Sequence, residues 1–211
     1  MPLHIVCCAY NEAKAIGDLF TQIGILAKDI PVTLTFVDDG STDASADIIT
    51  RTQPTYKTVL LRNLHNQGLG ASLRKALAQA IKSCTDTDAI ATLDADMTHP
   101  PQMLATMLRR MAQDGCDIVI GSRFTGAGSG ESGVPAIRRC CAAIARTIFR
   151  LRFRPIASIG DPTTGLRCYK ASILKKLLKA DGSLDLSSQG FAIQLEILLK
   201  LCDSGATVTE V

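Results

Sequence analysis

An alternation running through the first 120 residues most constrains what this chain can fold into. Residues 3–9, 32–37, 57–62, 89–93 and 117–120 are short and rich in apolar or β-branched residues, whereas 13–28, 43–51, 67–83 and 100–113 carry apolar residues at helical spacing. Strands separated by whole helices pair in parallel through crossovers and not as hairpins. The pattern predicts an α/β fold, a single doubly wound domain over residues 1–211 with a mainly parallel central sheet. Asp114-Gly115 reads as a helix stop. With 211 residues and 46% hydrophobic content, the chain is long enough to bury one core of its own.

Beyond Gly121 the pattern changes. Residues 125–133, TGAGSGESG, form a polar, glycine-rich loop without periodicity, and helical spacing resumes over 135–151. The turn-rich Asp161-Pro162-Thr163-Thr164-Gly165 follows, then helices from Ala171 and over 189–202, and a strand-like run at 207–211. The net charge of +3, from 23 basic and 20 acidic residues, does not call for a nucleic-acid partner. Basic residues gather at Arg138-Arg139 and from Arg146 to Arg154, which fits either an anionic membrane surface or a solvated helix face. Eight cysteines, two pairs of them adjacent and none in a C-x-x-C spacing, read as buried thiols and neither as a disulfide scaffold nor as a zinc motif. The opening MPLHIVCCAYNE lacks a basic start and reads as a first strand, not a leader. No apolar run reaches the roughly 18 residues of a membrane span.

Chemistry concentrates at the strand ends. Residues 89–93 lead into Asp94 and Asp96, whose i, i+2 spacing puts both side chains on one face of an extended chain. Beyond the carboxyl end of a strand in such a sheet, that pair suits Mg2+ or Mn2+ bridging to phosphate oxygens. The competing reading makes one Asp a cap, with Thr98 or His99 capping a helix whose first turn is Pro100-Pro101. The first strand ends in Tyr10-Asn11-Glu12 and the second in Asp38-Asp39-Gly40-Ser41-Thr42-Asp43. Gly40 and its neighbours explain a turn, while a carboxylate at Asp38 or Asp39 is available to a ribose or base. Gly68-Leu69-Gly70 lacks the third glycine of a dinucleotide fingerprint and reads as helix-start geometry.

The segments AYNE, VDDGSTD, NQGLGAS, DADMTHPP, IVIGSRF, DPTTGLRCY and GFAIQLE, in this order, resemble the family 2 glycosyltransferases of GT-A fold, above all the dolichyl- and polyprenyl-phosphate sugar transferases. The resemblance implies a nucleotide-sugar pocket lined by Cys8, Tyr10, Glu12, Val37, Asp39, Ala95, Asp96 and Arg123. It implies metal contacts at Asp96 and Thr98, with Asp94 completing the pair, and catalytic roles for Asp96, Arg123 and Arg138, the two arginines holding donor and acceptor phosphates. Thr98 stands where some relatives carry Gln, and Ala142 where a Ser is common. Relatives continue past the E-V of Glu210-Val211 into a basic segment, so the catalytic domain is expected to be truncated at this end.

The implied reaction is inverting, metal-dependent transfer of a hexosyl group from a GDP- or UDP-sugar to a polyprenyl phosphate, peripherally at the cytoplasmic face of a membrane. A phosphate acceptor is already ionised and needs no general base, and none of His4, His65 and His99 sits where a base is expected. A saccharide or protein hydroxyl acceptor would need one. Glu196 is either that base or the polar face of its helix. A non-catalytic nucleotide-sugar-binding module is the remaining alternative, and YNEAKAIGD does not fit the glycine-rich basic loop of a nucleotidyltransferase.

Overall fold

A computed structural model describes residues 1–52, 54–122, 156 and 159–211. The elements are β1 (Leu3–Ala9), α1 (Ala13–Leu26), β2 (Val32–Asp38), α2 (Ser45–Arg51), β3 (Lys57–Arg62), α3 (Leu69–Ser83), β4 (Ala89–Asp94), α4 (Met103–Asp114) and β5 (Ile118–Ile120). Then come β6 (Arg167–Lys170), α5 (Ala171–Leu174), α6 (Ala192–Asp203) and β7 (Val208–Glu210). The strands form one seven-stranded sheet in the order β3-β2-β1-β4-β6-β5-β7. All pairs are parallel except those made by β6, which runs antiparallel between β4 and β5.

Strand periodicity divides the core into two layers. Leu3, Ile5, Cys7 and Ala9 of β1 pack with Phe36, Ala91 and Leu93 against Ile16, Leu19 and Ile23 of α1 and Leu104 and Met107 of α4. Val6, Val37, Ile90 and Ile120 face the other way, toward Leu73 and Leu77 of α3 and Ile193 and Ile197 of α6. Each helix buries only the stripe that its spacing provides. Phe20 and Phe36 meet in a tilted pair, ring centroids 5.4 Å apart. The six described cysteines are unpaired thiols, four of them buried and Cys8 and Cys202 partly exposed. Among the described residues, no helix is long and apolar enough to cross a membrane.

The α/β reading holds, with two corrections. β6 escapes the sequence pattern because it is only four residues long and begins with an arginine. α4 starts at Met103, not at Pro100. The carbonyls of Pro100 and Pro101 accept the amides of Met103 and Leu104 in tight three-residue turns that precede the helix, and neither Thr98 nor His99 caps it. Gly115 ends α4 at φ 65°, as its position implies.

Gly40 shows why the turn after β2 is glycine. Its φ is 72°, and a Cβ there would stand 2.4 Å from the backbone carbon of His65. Gly40→Ala combines a left-handed backbone with a backbone collision that no side chain can relieve. It should cost about 3 kcal/mol in a urea unfolding titration, the upper range for a single substitution. A loss below about 0.5 kcal/mol would show that the two loops separate easily.

Candidate active site

β1 and β4 end level with one another, Cys8 opposite Asp94. By strand alternation both side chains stand on the α3 face of the sheet. Past Asp94 the chain turns through buried Ala95 to exposed Asp96, whose Oδ1 accepts the amide of Thr98 at 2.9 Å. Met97 makes this turn at φ 61°, left-handed and costly for a residue with a side chain, of order 1 kcal/mol or more. β1 leaves the sheet by a similar device, Asn11 at φ 59°. Asn11 Oδ1 accepts the amide of Thr42 at 2.8 Å, Ser41 Oγ accepts the amide of Asn11 at 3.0 Å, and Ser45 Oγ accepts that of Glu12 at 2.9 Å. The loop after β2 thus holds the loop after β1 in place.

These edges bound a cleft of about 180 Å³ lined by Cys8, Tyr10, Glu12, Asp94, Ala95 and Asp96, with Leu69 and Phe191 completing the wall. Six residues named from the sequence are therefore together. Leu69 and Phe191 were not among them. They belong to segments already singled out, NQGLGAS and GFAIQLE, but an apolar residue there looks like core, and only its 74% exposure sets Phe191 apart.

Two further residues shape the cleft from behind. A Cβ on Gly165 would lie 2.5 Å from Asp94 Oδ2, so glycine is what lets this loop approach the carboxylate. Thr92 Oγ1 donates to the Gly165 carbonyl at 2.7 Å. Arg167 is fully buried, and its guanidinium donates to the carbonyls of Thr164 at 3.0 Å, Pro162 at 2.6 Å and Gln194. It ties the DPTTG loop to α6 through its fork of donors. From sequence alone an arginine in a polar segment reads as surface, which is why this clamp was not anticipated.

Other expected residues sit differently. Val37 is fully buried in the α3-side core, away from the cleft lining. Asp39 is 4% exposed and accepts hydrogen bonds from Asn63 Nδ2 and the amides of Gln67 and Gly68, which orders the turn into α3. Thr98 is exposed beside Asp96 and outside the cleft lining. Glu196 holds the loop before α6, accepting the amides of Ser187 and Ser188. Arg123, Arg138 and the Arg146 to Arg154 segment lie outside the described residues.

The cleft favours cations. Burial raises the pKa of Glu12, and the neighbouring carboxylates of Asp96 and Asp43 raise it further. Burial likewise pushes up the Cys8 thiol, with Asp39 and Asp94 adding to it, so Cys8 is no thiolate nucleophile. No described lining residue carries a positive charge. Hard carboxylate oxygens at Asp94 and Asp96, with a glycine leaving room beside the first, are a donor set that fits Mg2+ or Mn2+.

The sequence profile of glycosyl transferase family 2 matches residues 4–178. This chain belongs to that family. It is 25% identical to a dolichol-phosphate mannosyltransferase of Pyrococcus furiosus over 200 residues, 95% of this chain and 53% of that protein. It is 26% identical to a dolichol-phosphate mannosyltransferase of Saccharomyces cerevisiae over 201 residues, 93% of this chain and 70% of that one. The chain thus spans about half the length of the archaeal relative. Glucosyl-3-phosphoglycerate synthase of Mycobacterium tuberculosis, solved with Mn2+, UDP and glucosyl-3-phosphoglycerate, superposes with a TM-score of 0.69 at 19% identity, covering 100% of this chain and 69% of that one. The shared fold is GT-A.

Two outcomes follow from this geometry. Gly165→Ala should shift the Asp94 carboxylate, whose place the new methyl takes, and so weaken any binding of Mn2+ alone to the cleft by about tenfold or more in calorimetry. An affinity for Mn2+ that the substitution leaves unchanged would detach Gly165 from the acidic pair. For Glu196, burial alone would raise the pKa, but hydrogen bonds from the Ser188 and Ser187 amides, with Lys200 adding, bring it below its ordinary 4.5. Because its folded-state pKa is the lower one, the stabilisation is complete above pH 4.5 and is lost as pH falls through the depressed value. Glu196→Gln should therefore flatten the acid limb of melting temperature against pH. An unchanged acid limb would mean that these hydrogen bonds do not persist in solution.

Proposed function

We propose that this family 2 chain carries out inverting, metal-dependent transfer of a hexosyl group from a UDP- or GDP-sugar to a polyprenyl phosphate. One observation carries the choice of acceptor. Glu196, the carboxylate considered as a base, is committed to the Ser187-Ser188 loop with its pKa lowered, which suits an acceptor that is already ionised. The names of the archaeal and yeast relatives support the same acceptor class.

Within this reading, Asp94 and Asp96 hold the metal with Thr98 beside them, and Cys8, Tyr10, Glu12 and Ala95 flank the nucleotide sugar. A bound Mg2+ or Mn2+ would offset the charge that develops on the departing diphosphate. Asp39 and Val37 act by shaping the loops and core behind the pocket. Arg123 and Arg138 are assigned to donor and acceptor phosphates, and the Arg146 to Arg154 segment to peripheral attachment at the cytoplasmic face of a membrane.

Labelled UDP- and GDP-hexoses supplied with polyprenyl phosphate in detergent test the proposal. Label should enter the organic-extractable lipid. Asp96→Asn and Arg138→Ala should each reduce transfer by about 100-fold or more, and Glu196→Gln should retain substantial activity. Label found only in water-soluble product, together with loss of activity in Glu196→Gln, would replace the lipid phosphate with a hydroxyl acceptor.

A further inference from the structure

The opposite, amino-terminal edge of the sheet holds a second group of metal-ligating side chains. His4 is the second residue of β1, Cys84 immediately follows α3, and Asp88 immediately precedes β4. Their candidate ligand atoms all lie within 4.8 Å of one another. All three are buried, at 7%, 9% and 6% exposure. Four strand steps lead from His4 to Cys8, about 13 Å at the usual rise, so this group is distinct from the cleft.

The local bonding of these groups is incomplete. His4 Nε2 stands 3.6 Å from Asp88 Oδ2, longer than a hydrogen bond, and His4 Nδ1 is buried with no hydrogen-bond partner. The nitrogen that faces Asp88 is Nε2, so Nε2 is the ligand atom of this set, and Nδ1 lies outside it on the other side of the ring. The backbone does not explain the cluster either, since Asp88 Oδ2 caps the turn through the Thr85 amide at 2.8 Å and needs neither His4 nor Cys84 for that.

We propose that His4, Cys84 and Asp88 bind a borderline divalent cation, Zn2+ in the first instance, tying the starts of β1 and β4 to the end of α3. Imidazole nitrogen, thiolate sulfur and carboxylate oxygen are the three zinc donors in proteins. Tetrahedral zinc bonds of about 2.0–2.2 Å to nitrogen and oxygen place those donors roughly 3.3–3.5 Å apart, close to the 3.6 Å between His4 Nε2 and Asp88 Oδ2. The three ligand atoms, within 4.8 Å of one another, would close by roughly 1 Å to reach bonding distances. One thiolate and one carboxylate neutralise the dication, which suits a site this well buried. On binding, Cys84 Sγ releases its proton to solvent and forms the bond to metal. Water takes the fourth position. Burial lowers the pKa of the His4 ring against the opposing effect of Asp88, whereas burial and the Asp88 carboxylate raise that of the Cys84 thiol to about 12, so a metal has to displace the thiol proton as it binds.

The spacing of this set, residues 4, 84 and 88, matches no sequence motif, so only the fold assembles it. Co2+ titrated into the reduced full chain should bind with a thiolate-to-metal charge-transfer band. The band should persist in Cys8→Ser and in an Asp94→Asn, Asp96→Asn double variant, which excludes the cleft, and should vanish in Cys84→Ser. Zn2+ affinity, read by competition with a chromogenic chelator, should fall about 100-fold or more in Cys84→Ser and in His4→Gln. In the unaltered chain, Zn2+ should also slow alkylation of Cys84, followed by peptide mass spectrometry, which needs no variant to fold. A band that survives Cys84→Ser or vanishes in Cys8→Ser, or an alkylation rate that Zn2+ leaves unchanged, would overturn the proposal.

Discussion

β1 and β4 pair in parallel with Cys8 opposite Asp94, so both strands release their chains at the same height above the sheet. Everything at the carboxyl edge depends on that level ending. A register shift of one residue would turn Asp94 to the α4 side, where apolar side chains pack and no counter-cation could reach it. The register is secured from below by the burial pattern, since Leu3, Ile5 and Cys7 must face α1 while Val6 faces α3. Hydrophobic packing of the core and placement of the candidate metal carboxylates are in this sense one constraint.

Polar side chains then convert a level edge into a shaped cleft. Asn11, Ser41 and Ser45 join the loops after β1 and β2, Asp39 orders the entry to α3, Glu196 orders the loop that presents Phe191, and Arg167 ties the DPTTG loop to α6. Each uses a charged, amide or hydroxyl side chain to satisfy backbone groups that no regular element can reach. Asp39, Ser45 and Arg167 are buried among these, and the left-handed Asn11 and Met97 add strain at the same edge. Such concentration is expected where a site must be rigid before its ligand arrives.

Much of this was legible in advance, for identifiable reasons. Helices and strands separate cleanly in the first 120 residues because each helix is buried on one face, giving helical spacing, while the central strands are buried on both, giving short continuous apolar runs. Of the cleft residues, Tyr10, Glu12, Asp94 and Asp96 stood out as polar groups at or just past the end of a buried strand, whereas Cys8 and Ala95 were legible only through the family resemblance. β6, Arg167 and Phe191 were not. Their contacts are to partners distant in sequence, and their residue types argue against the places they occupy: an arginine fully buried and a phenylalanine exposed.

The sequence by itself determined the α/β alternation, the order of the main elements and the acidic strand end, because these follow from local spacing of apolar and charged residues. Tertiary structure alone decided that β6 enters the sheet antiparallel, that Gly165 presses on Asp94, and that Glu196 serves a loop. It also alone gathered His4, Cys84 and Asp88. The physical reason is common to all four: local periodicity says which face a residue occupies, whereas a contact between faces exists only once burial has chosen which elements lie side by side.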